Sequence, residues 1–291
     1  MATISEEISG SAGTAELEGD TTYVEGVGNI PRNIYKHVKS DPLGDLPRYS
    51  VHIVIQHFVT FVTFLVLAAT GLALHYSGLW WTYYVMDLFG GPDTARLVHR
   101  ISAAFMVLAS VYHVATIIAG TLHKIIKKEF DIKRTQIPRL KDIQDAIHDI
   151  KYFLGKEPYR PKMEKFMYKQ KLHYLAILWG TFVLVTAGTT LLFPETMATI
   201  WPNPQFAQNL ARLMHADEAV MAITVVVFWH WSNVHLVPGR FPLQWVFITG
   251  RITREHQIEE HFLEYLNNLR EIPEEREYMK KLLKEKGFET N

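Results

Sequence analysis

Four stretches of this chain, 51–75, 97–120, 172–193 and 213–237, are apolar along their whole length rather than at every third or fourth position. Each supplies the roughly 20 helical residues needed to cross about 30 Å of hydrocarbon. Among them only Arg100, Asp217 and Glu218 are charged. From Phe58 to Leu74 the polar side chains are Thr60, Thr63 and Thr70, and a threonine can return its hydroxyl to the helix backbone. The pattern predicts an all-α membrane protein, a four-transmembrane-helix bundle.

Outside these stretches the pattern changes. Residues 1–29 are acidic and rich in Gly, Ser and Thr, with no apolar core of a signal peptide, so 1–47 is expected to be a flexible segment. The connection 121–171 scatters apolar residues among lysines and aspartates and is punctuated by Pro138, Gly155, Pro158 and Pro161. It predicts short amphipathic helices on the membrane surface. After Pro238-Gly239 the chain turns polar, and Arg254–Lys286 is charged and helix-prone, broken at Pro273. Residues 251–291 therefore read as a helical tail, solvated or docking a partner, behind a membrane domain at 48–250.

Lysine and arginine set the expected orientation. The connection 121–171 carries 14 of them, against one each in 76–96 and 194–212. The positive-inside rule places the connection and both termini in the cytoplasm. Trp80, Trp81, Tyr83, Tyr84 and Trp201 fall in the two short outer links, where amphipathic rings suit the headgroup region as anchors or lids.

Composition narrows the chemistry. Thirty basic and 30 acidic residues leave no net charge to attract nucleic acid, and the mean hydropathy of +0.01 averages two very different parts. No cysteine is present, which excludes disulfides, thiolate metal sites and a cysteine-ligated iron–sulfur cluster. Any metal must be held chiefly by imidazole.

Nine of the 14 histidines lie in the apolar stretches, where an imidazole is costly unless its nitrogens find partners. They fall at two depths: His99 and His215 near the outer face, His57 and His230 near the inner face. From His99 to His113 is 14 residues, roughly 21 Å of helical rise with an angular offset near −40°. From His215 to His230 is 15, roughly 22 Å and +60°. Each helix can thus aim two imidazoles into the bundle in opposite leaflets, the requirement for two stacked haems clamped by imidazoles from different helices. Gly71, Gly180 and Gly188 leave room for a porphyrin or for close helix packing. Arg96 and Arg100 flank His99 and suit either haem propionates or snorkelling to the interface. Asp217 and Glu218 beside His215 can orient a ligand, face a partner or simply favour a helix start.

RYSVHIVIQHFVTFVTFLVLAATG (48–71), RLVHRISAAFMV (96–107), QKLHYLAILWGTFVLVTAG (170–188) and RLMHADEAVMA through WHWSNVHLVPGRFP (212–242) resemble the di-haem cytochrome b subunits of respiratory formate dehydrogenases, the gamma subunits, and their relatives in nickel–iron hydrogenases. The resemblance covers roughly 48–250. It implies two b haems, with His99 and His215 as axial iron ligands of the outer one and His57 and His230 of the inner one. The family's interval in the last helix is 14 residues where this chain has 15, with His113 and His235 as alternative ligands. The resemblance also implies exchange of menaquinone or ubiquinone beside the inner haem, where this chain has Gln170, Lys171, His173 and His52. His173 could instead be solvated by headgroups.

The function expected is that of an electron-transfer subunit, not catalytic alone, in the cytoplasmic membrane of a bacterium or archaeon. It would link quinone to an outer-face redox partner: an iron–sulfur protein, a molybdenum enzyme, a hydrogenase or a multihaem cytochrome c. Two other classes stand beside it, a histidine-relay proton channel or transporter and a haem-bearing scaffold without quinone chemistry. Transporters usually build a central site from broken helices or inverted repeats, and no convincing internal repeat is seen.

Overall fold

The structure is a computed structural model and describes residues 20–38, 45–237 and 240–288. Most of the expected flexible tail, 1–19, and the Pro238-Gly239 boundary lie outside the described residues. In chain order the elements are β1 (Thr21–Val24), β2 (Gly28–Pro31), a 3₁₀ turn (Arg32–His37) and β3 (Leu46–Pro47). Then come α1 (Val51–His75), α2 (Trp80–Leu88), α3 (Pro92–Ile126), α4 (Leu140–Phe153), α5 (Tyr168–Leu192) and α6 (Pro194–Ile200). The chain continues with α7 (Pro204–Thr224), a π-helical segment (Val225–Trp231), α8 (Ser232–His235) and α9 (Val246–Thr249). It ends with β4 (Arg251–Ile252), α10 (Arg254–Glu260), α11 (Phe262–Glu271) and α12 (Pro273–Glu285).

These elements form two compact units. One joins Met1–Arg48, Asp131–Leu172 and Arg251–Asn291; the other joins Tyr49–Phe130 and His173–Gly250. The described parts of both terminal segments thus fall with the long connection in one unit.

That first unit owes its core to a stripe hidden by charge. In α11, Phe262, Tyr265, Leu266 and Leu269 are buried, and in α12 Met279, Leu282 and Leu283. Their i, i+3, i+4, i+7 spacing marks one helix face. They share the unit with Val24, Val27, Ile30 and Ile34, all essentially inaccessible, from the β1–β2 hairpin and the following turn. Residues 21–37 are therefore structured where a flexible segment was expected, and 254–285 are packed rather than solvated on all sides. Polar bonds tie the connection in: Arg32 Nη2 donates to the Pro161 carbonyl at 2.8 Å, Lys162 Nζ to Thr22 Oγ1 at 3.0 Å, and Leu263 N to the Met163 carbonyl at 3.0 Å. Arg254 and Glu275 form a buried pair, with the Tyr265 hydroxyl donating to Glu275 at 3.1 Å.

Helices α1, α3 and α5, which lie in the second unit except for the first residues of α5, are long and apolar enough to cross a membrane. The apolar stretch of α3 buries none of its residues within the protein, and Phe105, Leu108 and Val111 point outward, 57–65% exposed. Such a surface suits lipid and not water. Thr63 and Thr70 are buried and donate to the carbonyls of Val59 at 2.8 Å and Val66 at 2.7 Å, the backbone return expected of threonine in an apolar helix. Trp81 packs on a cluster of Ala73, Met86 and Ala95, whereas Trp80, Tyr83, Tyr84 and Trp201 are exposed. Gly250 closes α9 with φ +69°, and a Cβ there would stand 2.5 Å from the Tyr49 carbonyl oxygen, so no side chain fits.

The last expected apolar stretch, 213–237, is built differently from the other three. α7 starts nine residues earlier, carries Arg212, Asp217 and Glu218, and passes through the π segment into α8 without leaving helical dihedrals.

Candidate functional site

Seven of the ten histidines of the second unit gather in three groups. His99, near the start of α3, and His215, in α7, stand 6.3 Å apart between ring centroids. Their backs are anchored. Thr70 has already given its hydroxyl hydrogen to Val66, so its oxygen accepts from His99 Nδ1 at 2.9 Å. His215 Nδ1 donates to the Leu184 carbonyl at 3.2 Å. Both bonds put the proton of a neutral imidazole on Nδ1 and leave the Nε2 lone pair available.

A glycine faces each of these rings. A Cβ at Gly71 would lie 3.1 Å from His99 Cε1, and one at Gly188 3.1 Å from His215 Cε1. The same device is used twice, by α1 against α3 and by α5 against α7. Gly180 has another role: a Cβ there would come within 2.6 Å of Glu218 Oε1, so the missing side chain makes the niche in which this carboxylate lies. Asp217 and Arg100 are exposed, and Arg96 pairs with Asp93 at 2.7 Å.

The second group centres on His57 in α1 and His230 in the π segment, again 6.3 Å apart. The π turn explains how the longer interval still brings them together. Its i→i+5 bonding takes one extra residue into a turn, so 15 residues act as 14 and the offset from His215 falls from about +60° to about −40°. His173 stacks on His230 at 4.8 Å with 14° between planes. Its Nδ1 is buried with no hydrogen-bond partner.

The third group is a hydrogen-bonded chain across α1, α3 and α5. The Tyr174 hydroxyl meets His113 Nε2 at 3.2 Å, and His113 Nδ1 meets Gln56 Oε1 at 2.7 Å. Gln56 Nε2 meets His52 Nε2 at 2.6 Å, and His52 Nδ1 meets the Tyr112 hydroxyl at 3.3 Å. The amide fixes the direction: its oxygen accepts from His113 and its nitrogen donates to His52, so every donor points from Tyr174 toward Tyr112. Both lone pairs that His113 and His52 could offer a ligand are engaged. His235 is similarly occupied, its Nδ1 accepting from Gln244 N at 3.0 Å.

Gln170 and Lys171 belong to the first unit. Gln170 Oε1 accepts from Met167 N at 3.1 Å, and the buried Lys171 pairs with Asp142 at 2.9 Å. Both are committed to holding the start of α5. Thr70, the Leu184 carbonyl, Gln56 and Tyr174 were not singled out from the sequence. The intervals His57–Gly71–His99–His113 (14, 28, 14) and His173–Gly188–His215–His230 (15, 27, 15) run nearly parallel, but they point to none of these four.

Chemically, each 6.3 Å pair can hold one metal ion between two imidazoles. Among the described residues no cluster of three or more His, Asp or Glu is gathered for a metal. Comparison with models of known protein families and with curated proteins finds no match for this chain.

Proposed function

We propose that this protein is a membrane electron-transfer subunit of the di-haem cytochrome b type, four-spanning, with α7 through α8 as the fourth crossing. It would carry electrons between quinone and a partner redox protein on the other side of the membrane. The observation that carries the reading is the pair of equal imidazole separations. An imidazole pair that shared one metal ion would place its ring centres up to about 6.4 Å apart, from two metal–nitrogen distances of roughly 2.0 Å and two ring-nitrogen-to-centre distances of roughly 1.2 Å. Both His99–His215 and His57–His230 match this at 6.3 Å.

Haem iron between two neutral imidazoles supplies one-electron transfer with no open position for oxygen or substrate. The chain's part is to hold and orient. Thr70 and the Leu184 carbonyl fix the tautomers of His99 and His215, and Gly71 and Gly188 keep the space beside those rings free of side chains. At the other pair, His173 lies against His230 with a buried, unpartnered Nδ1. That nitrogen suits a hydrogen bond to a quinone carbonyl and can hold or release a proton there. Of the four residues expected at the quinone site, His52, Gln170 and Lys171 are engaged elsewhere, which favours His173.

The chain from Tyr174 to Tyr112 favours a second reading, a proton relay. Its weakness is Gln56, whose amide has no readily exchanged proton and interrupts transfer between His113 and His52.

Purification in mild detergent tests the first reading. Reduced b-type absorption bands and two haems per chain are expected, with haem reduction on adding quinol. A colourless chain that moves protons in liposomes would overturn it in favour of the relay.

A further inference from the structure

The long connection contains a helix turned inside out. α4 buries Asp145 and Asp149, while Leu140, Ile143, Ile147, Ile150, Phe153 and Leu154 are 51–78% exposed. On a helical wheel these two aspartates and Asp142 occupy one side and most of the apolar residues the opposite one. The acidic side is committed inside its unit. Asp142 pairs with the buried Lys171, Asp145 with Lys141, and Asp149 with Arg160 at 2.8 Å and the Tyr168 hydroxyl at 3.0 Å. Burial works against ionised Asp149, but the contacts with Arg160, the Tyr168 hydroxyl and Lys169 together hold the carboxyl below its ordinary value of 3.8. The helix cannot roll to hide its apolar face without breaking these pairs.

We propose that this apolar face of α4 inserts into the interfacial layer of the lipid bilayer, anchoring the extramembrane unit to the surface. The inference rests on the reading of α3 and α5 as membrane spans. Thirteen residues separate α3 from α4 and 14 separate α4 from α5, so both tethers lead from a membrane end. The composition is that of an interfacial helix, apolar on one face and polar on the other. Exposed Lys133, Lys151 and Lys156 suit anionic headgroups at that depth.

The absence of cysteine makes the test direct. Single variants Ile143→Cys, Ile147→Cys and Ile150→Cys are labelled with a nitroxide in the full chain, reconstituted in phosphatidylcholine–phosphatidylglycerol vesicles. Collision with oxygen reports lipid, and collision with a water-soluble nickel chelate reports solvent. Lys281→Cys on α12 is the aqueous reference and Leu108→Cys on α3 the lipid reference. The expected result is an oxygen-to-nickel ratio several-fold above that at position 281 for all three α4 positions, falling when the vesicles are replaced by an uncharged detergent of short chain. Nickel access equal to that at 281 places the face in water, and low access to both reagents places it under protein; either overturns the proposal. If position 108 is also open to nickel, the membrane reading itself fails; if 108 is in lipid and 147 is not, only the α4 anchor fails.

Discussion

His57 and His230 stand 6.3 Å apart although His230 is one residue further from His215 than a regular helix would place it, and the π turn at Val225–Trp231 absorbs the difference. Removing one residue from that turn, for example Val226, lets it relax to α-helix and returns the interval to 14. On the proposed di-haem reading, the deleted chain is expected to keep both haems. Inserting one alanine after Val226 rotates His230 by roughly 100° and is expected to lose the His57–His230 haem alone. Haem stoichiometry and the split of the reduced α band distinguish the outcomes.

Removing a ligand should discriminate between the pairs. His99→Ala and His215→Ala are expected to fall from two haems per chain to one, and to lose the same one. His113→Leu is expected to keep both, because its nitrogens serve Gln56 and Tyr174. A haem lost from the His113 variant would move the ligand to that position and sink the present pairing.

The glycines should grade by size. Gly71→Ala places a Cβ 3.1 Å from His99 Cε1, so the ring must give by a few tenths of an ångström and the haem spectrum should shift. Gly71→Leu is expected to lose the same haem as His99→Ala. Gly180→Ala meets Glu218 instead and should leave both spectra closer to the parent.

In the first unit, Arg254 and Glu275 are each 2% exposed at the side chain. Removing one member strands a buried charge, so Glu275→Ala should destabilise this unit by about 3–5 kcal/mol. The double variant Arg254→Met, Glu275→Leu should cost less. Hydrogen exchange across 254–283 in the full chain reads both.

His261 gives the same unit a pH dependence. Burial pushes its pKa well below 6.5, and the positive charge of Arg48 adds to this. The folded state therefore holds the neutral ring while the unfolded chain takes up a proton as pH falls through 6.5, so stability is present above that pH and is lost progressively below it. Exchange protection in α10–α11 should weaken between pH 7 and 5. His261→Asn, which can keep a donor toward the Glu164 carbonyl at the position of Nδ1, should flatten the dependence. An unchanged slope would show that another group carries it.

The sequence by itself determined that α1, α3 and α5 suit a bilayer, since uninterrupted apolar runs need no knowledge of their neighbours. It also set the axial spacing of the imidazoles within each helix, because rise per residue is fixed by helix geometry. It could not reveal the core of the first unit, where Phe262, Leu269, Met279 and Leu283 are spaced among so many charges that average polarity conceals the buried face. Nor could it choose among His113, His230 and His235. The choice of His230 proposed above rests on partners distant in the chain, Gln56, Tyr174 and Gln244, and on a widened turn that no residue type announces. Only the tertiary structure shows which ring nitrogens are engaged, because a nitrogen's availability is a property of what the fold places beside it.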